Sequence, residues 1–258
     1  MRKIFAMGGG GFTMEPDNPV LDEFILGLAR RPVPRVCFLP TASGDPLDHI
    51  TRFHEAFSDL PCEASDLSLF RLGPRPIDLR RTLLSQDIVY VGGGSLRNML
   101  AIWRVHELDR ILRECWMRGV VLAGLSAGAM CWFEAGITKS RGAAEPAAGL
   151  GLLRGSMSVH YDGEPERRPV YLDAVADGRV PEGFGVDDGV GLLFEDGGLR
   201  RVVGSHPGAR CVRVRRIGDR AVEDPVPVEV LAEPEPHTVS ADVREFRALR
   251  YGGLRDAG

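Results

Sequence analysis

Val120-Val121-Leu122-Ala123-Gly124-Leu125-Ser126-Ala127-Gly128-Ala129-Met130 is the stretch on which the reading of this chain turns. No charged or polar side chain interrupts the apolar run that reaches Gly124, and a run of small, helix-compatible residues begins at Ala127. One serine stands between them, with a glycine two positions to either side. That is Gly-x-Ser-x-Gly, the pattern in which a buried strand turns sharply into a helix and lifts a serine hydroxyl off the sheet. A Cβ at position 124 or 128 would collide across so tight a corner. The first helical turn adds unpaired N–H groups and a partial positive charge, which suit a developing oxyanion. The pattern is short and also fits an ordinary Gly/Ala-rich turn, but the strand before it and the helix after it favour a functional serine.

Upstream of this corner, strands and helices alternate. Lys3 to Met7 reads as a buried strand running into Gly8-Gly9-Gly10-Gly11. A helix follows over Asn18 to Arg30, with Asn18 as its cap and Pro19 in its first turn. Arg35 to Pro40 is a second strand, Asp45 to Phe57 a second helix, Glu63 to Phe70 a third strand and Asp78 to Leu84 a short helix. Asp87 to Val91 is an apolar strand ending in Gly92-Gly93-Gly94-Ser95, and helices from Leu96 and over Glu107 to Arg118 lead to the corner. Strands so uniformly apolar belong to a sheet covered on both faces, a doubly wound, mainly parallel α/β layer. Ligands in such sheets sit beyond the carboxyl ends of the strands. Three loops gather there: Gly8 to Gly11, Gly92 to Ser95, and the serine corner.

Beyond Glu134 the character changes. Gly136 to Leu150 reads as a Gly/Ala-rich loop, Ser156 to Tyr161 as a strand and Pro165 to Asp177 as a helix. Short strands from Gly185 onward suggest antiparallel strands at the C-terminal edge of the sheet. The expected organisation is one α/β domain over residues 1–232 and a C-terminal extension over 233–258, which opens at Glu233 with Pro234 and Pro236.

Composition narrows the function. At 258 residues, 44% hydrophobic and 26% charged, the chain is an ordinary globular one. A net charge of −4 gives no sign of a nucleic-acid or membrane partner. Cys37, Cys62, Cys115, Cys131 and Cys211 are odd in number and lack a Cys-x-x-Cys pair, so they read as buried thiols rather than a disulfide frame or zinc site. Only four residues separate Lys3 from Gly8, too few for a signal-peptide core. A cytoplasmic protein without metal or cofactor is expected. A small peptide is its partner, and room is left for a homodimer.

A serine nucleophile needs a base. Of six histidines, His49 and His54 have helix-surface spacing, His106 opens a helix and His237 lies in the tail. His206 is the runner-up. His160 ends an apolar strand, ahead of Tyr161-Asp162-Gly163, on the side where an α/β site opens, and is the preferred base. An acid should orient it. Glu134, about 12 Å along a helix from the serine at 1.5 Å per residue, suits a helix-end anchor better. Glu145 is preferred, with Asp187 and Asp188 as the fallback.

Gly92-Gly93-Gly94, Gly124-Leu125-Ser126-Ala127-Gly128 and His160 together resemble the peptidase E family of serine peptidases, the aspartyl dipeptidases of family S51, related to the cyanophycinases. Phe38-Leu39-Pro40-Thr41-Ala42-Ser43, Cys131-Trp132-Phe133-Glu134 and His160-Tyr161-Asp162-Gly163-Glu164 are similar too, so the resemblance covers residues 3 to 215. It implies a fold like the class I glutamine amidotransferases and cleavage of dipeptides with an N-terminal aspartate. Carried over, Ser126 is the nucleophile, His160 the base, and Gly93, Gly94 and the N–H of Ala127 the oxyanion hole. Arg167 and Arg168 stand where the family grips an acidic side chain, a carboxylate being a good match for a guanidinium fork. Ser95 replaces the longer amide of many members as a substrate-side donor. Thr138-Lys139-Ser140-Arg141 lacks the acid often found after the nucleophile helix, which is why Glu145 is preferred. Two other readings stand beside the exopeptidase: a non-catalytic ligand-binding relative, and a cyanophycinase-like hydrolase of β-aspartyl-arginine peptides.

Overall fold

The computed structural model describes residues 1–73 and 77–231. The expected C-terminal extension, and His237 with it, lie outside the described residues. Strand β1 (Lys3–Met7) leads to α1 (Val20–Gly27), β2 (Arg35–Leu39), α2 (Leu47–Ser58), β3 (Glu63–Asp66), α3 (Leu79–Leu84), β4 (Ile88–Val91), α4 (Leu96–Val105), α5 (Leu108–Met117) and β5 (Val121–Leu125). A four-residue helix, α6 (Ala127–Met130), follows, and then β6 (Phe133–Arg141), β7 (Ala143–Ala148), β8 (Leu153–Ser158), α7 (Arg167–Ala176) and β9 (Gly183–Val186). The described residues close with β10 (Val190–Glu195), β11 (Gly198–Gly204), β12 (Cys211–Ile217), β13 (Arg220–Val226) and β14 (Glu229–Val230).

Among the described residues the main sheet has eight strands in the order β14-β11-β10-β1-β5-β4-β2-β3. Its β1-β5-β4-β2-β3 portion is parallel, and β10 joins β1, and β11 joins β10, antiparallel. Alternate residues feed two separate cores, as a pleat demands. Phe5, Met7, Val36, Phe38, Ile88 and Tyr90 face α1 and α2. Phe38 and Phe53 stack there at 4.8 Å, and Phe12 meets both Phe38 and Tyr90 edge-on. Ile4, Ala6, Cys37, Leu39, Val89, Val91 and Leu122 face α3, α4, α5 and the inner side of a second sheet. This is the doubly wound, mainly parallel layer with antiparallel strands at one edge that the sequence leads one to expect. Among the described residues no helix is long and apolar enough to cross a membrane, and all five cysteines are free and buried.

The second sheet departs from expectation. Among the described residues it holds six strands in the order β13-β12-β9-β8-β6-β7, with α7 packed on its outer face through Tyr171, Ala174 and Val175. Residues 136–150, expected as a loop, form most of the β6–β7 hairpin. Gly136 is there for close packing: a Cβ would lie 2.9 Å from the Met157 carbonyl and 3.0 Å from Met130 Sδ. Of the late strands, β10 and β11 join the main sheet, whereas β12 and β13 join the second. Because α6 ends at Met130, Glu134 lies on a strand, not at a helix end, and its Oε2 accepts the Gly155 N–H at 2.7 Å.

One carboxyl is sealed into the aromatic core. Asp22, 2% exposed, accepts the Tyr90 hydroxyl at 3.1 Å. Burial outweighs that bond and the one from the Phe12 backbone, and pushes the Asp22 carboxyl up to about 7.

Candidate active site

β5 delivers Ser126 from the middle of the main sheet, between β1 and β4. Its N–H still donates to the Met7 carbonyl at 3.1 Å, extending the ladder, while its carbonyl already accepts from Ala129 and Met130 in α6. A residue serving strand and helix at once must turn within one position. Ser126 does so at φ 53°, ψ −116°, a conformation costly for a residue with a Cβ. The two flanking glycines make the corner possible. A Cβ on Gly124 would stand 2.3 Å from the Gly128 carbonyl, and one on Gly128 2.3 Å from the Val91 carbonyl.

His160 arrives from the second sheet, two residues past β8, and also sits in left-handed backbone with φ 50°. Its turn is closed by the Glu164 N–H donating to the His160 carbonyl at 2.9 Å and by the Tyr161 N–H donating to Val186 at 3.2 Å. Thus aimed, His160 Nε2 lies 2.9 Å from Ser126 Oγ, and Nδ1 lies 2.6 Å from Asp188 Oδ1. A carboxylate can only accept, so the ring carries its proton on Nδ1 and turns the Nε2 lone pair to the serine hydroxyl. Asp188 stands where the chain crosses from β9 in the second sheet to β10 in the main one.

Glu145 is not the acid that meets His160. Its carboxylate lies on β7 and accepts from Arg97 Nε and Arg141 Nε, each at 2.9 Å. The Arg141 guanidinium, with Arg97 behind it, holds the carboxyl down to about 2. Asp187, the other fallback, points away from the histidine and takes the N–H and Nε–H of Arg210, both at 3.1 Å. Burial nonetheless raises its carboxyl above the ordinary range. His206, the runner-up base, is exposed and spends Nδ1 on the Pro207 carbonyl.

The arginines expected to grip substrate are committed elsewhere. Arg167 is buried, donates Nε–H to Glu164 at 3.0 Å and caps the Ile137 carbonyl with Nη1. Arg168 forks onto Glu223, which also accepts the Tyr161 hydroxyl at 2.8 Å. Ser95, expected to touch substrate, caps α4 by accepting the Asn98 N–H at 3.3 Å.

Gly93 does lie beside the serine: a Cβ there would be 3.3 Å from Ser126 Cβ and 3.0 Å from Leu125 Cδ1. Gly94, at φ 137°, presses on the Ala42 carbonyl, which accepts the Ser95 N–H at 2.7 Å. The Ala42 loop is braced by Asp45, whose fully buried Oδ2 accepts Ser68 Oγ and the Phe70 N–H. The Gly8–Gly11 loop makes room for the acid: a Cβ on Gly9 would fall 2.0 Å from Asp188 Oδ1. The loop lies at the site, as expected, and its bareness accommodates a carboxylate of the chain itself.

Set against known proteins, the sequence model of peptidase family S51 matches residues 4–202. The chain is 48% identical over 231 residues to the uncharacterized peptidase YgaJ of Bacillus subtilis (strain 168), covering 90% of this chain and 100% of that protein. In fold it is similar to a peptidase from an acI-B1 Actinobacterium, with a TM-score of 0.67 at 19% identity over 88% of this chain and 95% of that one. It is also similar in fold to a putative peptidase E protein from Listeria monocytogenes EGD-e, with a TM-score of 0.56 at 16% identity over 78% of this chain and 97% of that one. The family match runs through the strand that delivers Ser126 and the segments that carry His160 and Asp188, and with it the chain belongs to peptidase family S51 and is a serine-type peptidase.

Proposed function

We propose that this chain is a cytoplasmic serine exopeptidase that hydrolyses small peptides through an acyl-enzyme, with Ser126, His160 and Asp188 as its triad. The Ser126 hydroxyl passes its proton to His160 Nε2 as Oγ attacks the scissile carbonyl, and the carbonyl oxygen takes up the negative charge. The N–H groups of Gly93, Gly94 and Ala127 receive that oxyanion, which forms in a corner already shaped to hold it. His160 then protonates the leaving amine, and water, deprotonated by the same nitrogen, releases the acyl group. Asp188 keeps the ring in the required tautomer and stabilises its charged form.

The observation that carries this reading is the unbroken chain of contacts, 2.9 Å from Ser126 to His160 and 2.6 Å from His160 to Asp188. It also argues against a non-catalytic relative, since a protein that only bound a ligand would have no use for the strained serine. Dipeptides with an N-terminal aspartate are the substrate class to which the family resemblance points. Arg167 and Arg168 lend no support to that preference, because both guanidinium groups already serve internal partners. The test is a panel of aspartyl, alanyl and β-aspartyl-arginine dipeptides given to wild type and to Ser126→Ala, with fluorophosphonate labelling of both. Labelling lost with Ser126, together with hydrolysis, supports the mechanism. Equal hydrolysis by Ser126→Ala removes it, and the rank order across the panel decides the substrate class.

A further inference from the structure

The segments bearing His160 and Asp188 share a difficulty. Each lies just off the end of a strand, where the ladder no longer fixes the backbone: β8 ends at Ser158, and β9 ends at Val186 before β10 begins at Val190. A triad must be held to within a few tenths of an ångström, and strand ends do not do that unaided. The Asp188 N–H donates not to a neighbouring strand but to Asp162 Oδ1, at 3.1 Å. Asp162 is two residues beyond His160, on the same turn. Beside the Tyr161 N–H bond to the Val186 carbonyl, two bonds through side chains join the segments in opposite senses, His160 reaching over to the Asp188 carboxylate and Asp188 reaching back to the Asp162 carboxylate. Gly163 completes the enclosure, since a Cβ there would lie 3.3 Å from Asp188 Oδ2.

We infer that Asp162 is a positioning residue of this site, one whose carboxylate sets where the Asp188 side chain presents itself to His160. The inference rests on the peptidase reading above and extends it to a residue that touches neither substrate nor nucleophile. Three features bear on it. The flanking backbone is tied down by other partners, Asp187 N–H to the Arg210 carbonyl and Gly189 N–H to the Gly9 carbonyl, each at 3.1 Å. These leave the peptide between Asp187 and Asp188 to be oriented by Asp162. The carboxylates that follow on the same segment have cationic partners, Glu164 and Glu166 taking Lys139 of β6, and Glu164 also taking Arg167 of α7. Asp162 stands outside that set. An amide oxygen could accept the same N–H, so position and not charge is what the bond requires.

The experiment is a double-mutant cycle on the full chain, with melting temperature measured alongside kcat and KM. Asp162→Ala is expected to lower kcat by about 10- to 100-fold, the scale on which displacement of a catalytic group acts, with KM within about twofold. Asp162→Asn keeps an acceptor in place and is expected to stay within about threefold of wild type. Asp162→Glu carries the charge but moves the oxygen by one methylene, so it should lose rate as alanine does, which keeps the test open if alanine compromises folding. In an Asp188→Ala background, Asp162→Ala should cost nothing further, because it acts through Asp188. Wild-type kcat in Asp162→Ala or Asp162→Glu, an undiminished loss in the Asp188→Ala background, or an asparagine variant as slow as alanine would each overturn the inference. Should Ser126→Ala retain activity, the peptidase reading fails first; a dead Ser126→Ala beside an unaffected Asp162→Ala removes the positioning role alone.

Discussion

Asp188 Oδ1 lies 2.6 Å from His160 Nδ1 although 28 residues, the whole of α7 among them, separate the two in sequence. The contact decides which ring nitrogen keeps its proton. An amide at position 188 can offer N–H to Nδ1 and so favour the tautomer that cannot take the serine's proton. Asp188→Asn is therefore expected to lower kcat by up to about 10⁴-fold with little change in KM, the loss that the wrong tautomer causes in a serine triad. Glu145→Gln should remain within about threefold of wild type. Steady-state kinetics on the same dipeptide check both, and a Glu145→Gln variant as slow as Asp188→Asn would reverse the assignment of the acid.

The serine corner should tolerate no added methyl. With 2.3 Å between a Cβ on Gly124 and the Gly128 carbonyl, backbone has to give way. Gly124→Ala is expected to cost about 1–3 kcal/mol of stability and to lose most activity by shifting Ser126 off line. Denaturant melts and fluorophosphonate labelling measure the two effects, and a variant labelled as fast as wild type would show the corner to be less tight than drawn.

Asp22 makes a pH-dependent contribution whose sign is opposite to that of most carboxylates. Its folded value, about 7, lies above the ordinary 3.8, so between roughly those two values the folded state holds a proton that the unfolded chain has released. Stability from this group is complete at low pH and falls as pH rises through the folded value. Asp22→Asn removes the titration, so its stability relative to wild type should improve between pH 4 and pH 8, by about 1–4 kcal/mol. Paired urea melts at the two pH values test this, and a difference that is flat or of opposite sign would refute it.

Arg167 and Arg168 are neighbours with unequal weight. Arg167→Ala strips a buried carbonyl of its donor and Glu164 of a partner, and about 2–4 kcal/mol of stability should go with it. Arg168 lies mostly in solvent, its side chain 57% exposed, and Arg168→Ala should cost under about 1 kcal/mol. Thermal melts distinguish the two. Equal losses would mean that burial is not what separates them.

How far the sequence carried this reading follows from the kind of signal each part leaves. A strand buried on both faces is apolar throughout, so β1, β2, β4 and β5 stand out, and a glycine-flanked serine at the end of one of them marks the nucleophile. His160 was legible as the one histidine at the end of an apolar strand. The acid was not, because Asp187 and Asp188 are alike as letters. The docking of Arg210 on Asp187 assigns that carboxylate to structure, and the turn beyond β9 presents Asp188 to the imidazole. Glu145 is near in sequence to the segment where the family's acid is missing, while Arg97, which captures it, is 48 residues away. The second sheet was hidden by its glycines. In a Gly/Ala-rich run Gly136 suggests looseness, whereas its role is close contact with Met130 and Met157, a distinction that only the partner across the gap reveals.

Both outermost strands of that six-stranded sheet contain a proline, Pro146 in β7 and Pro225 in β13. Proline has no N–H with which to recruit a further strand. Each flank therefore offers one N–H fewer to any strand that might be laid alongside it, which makes both margins poorer templates for copies zipping together edge to edge.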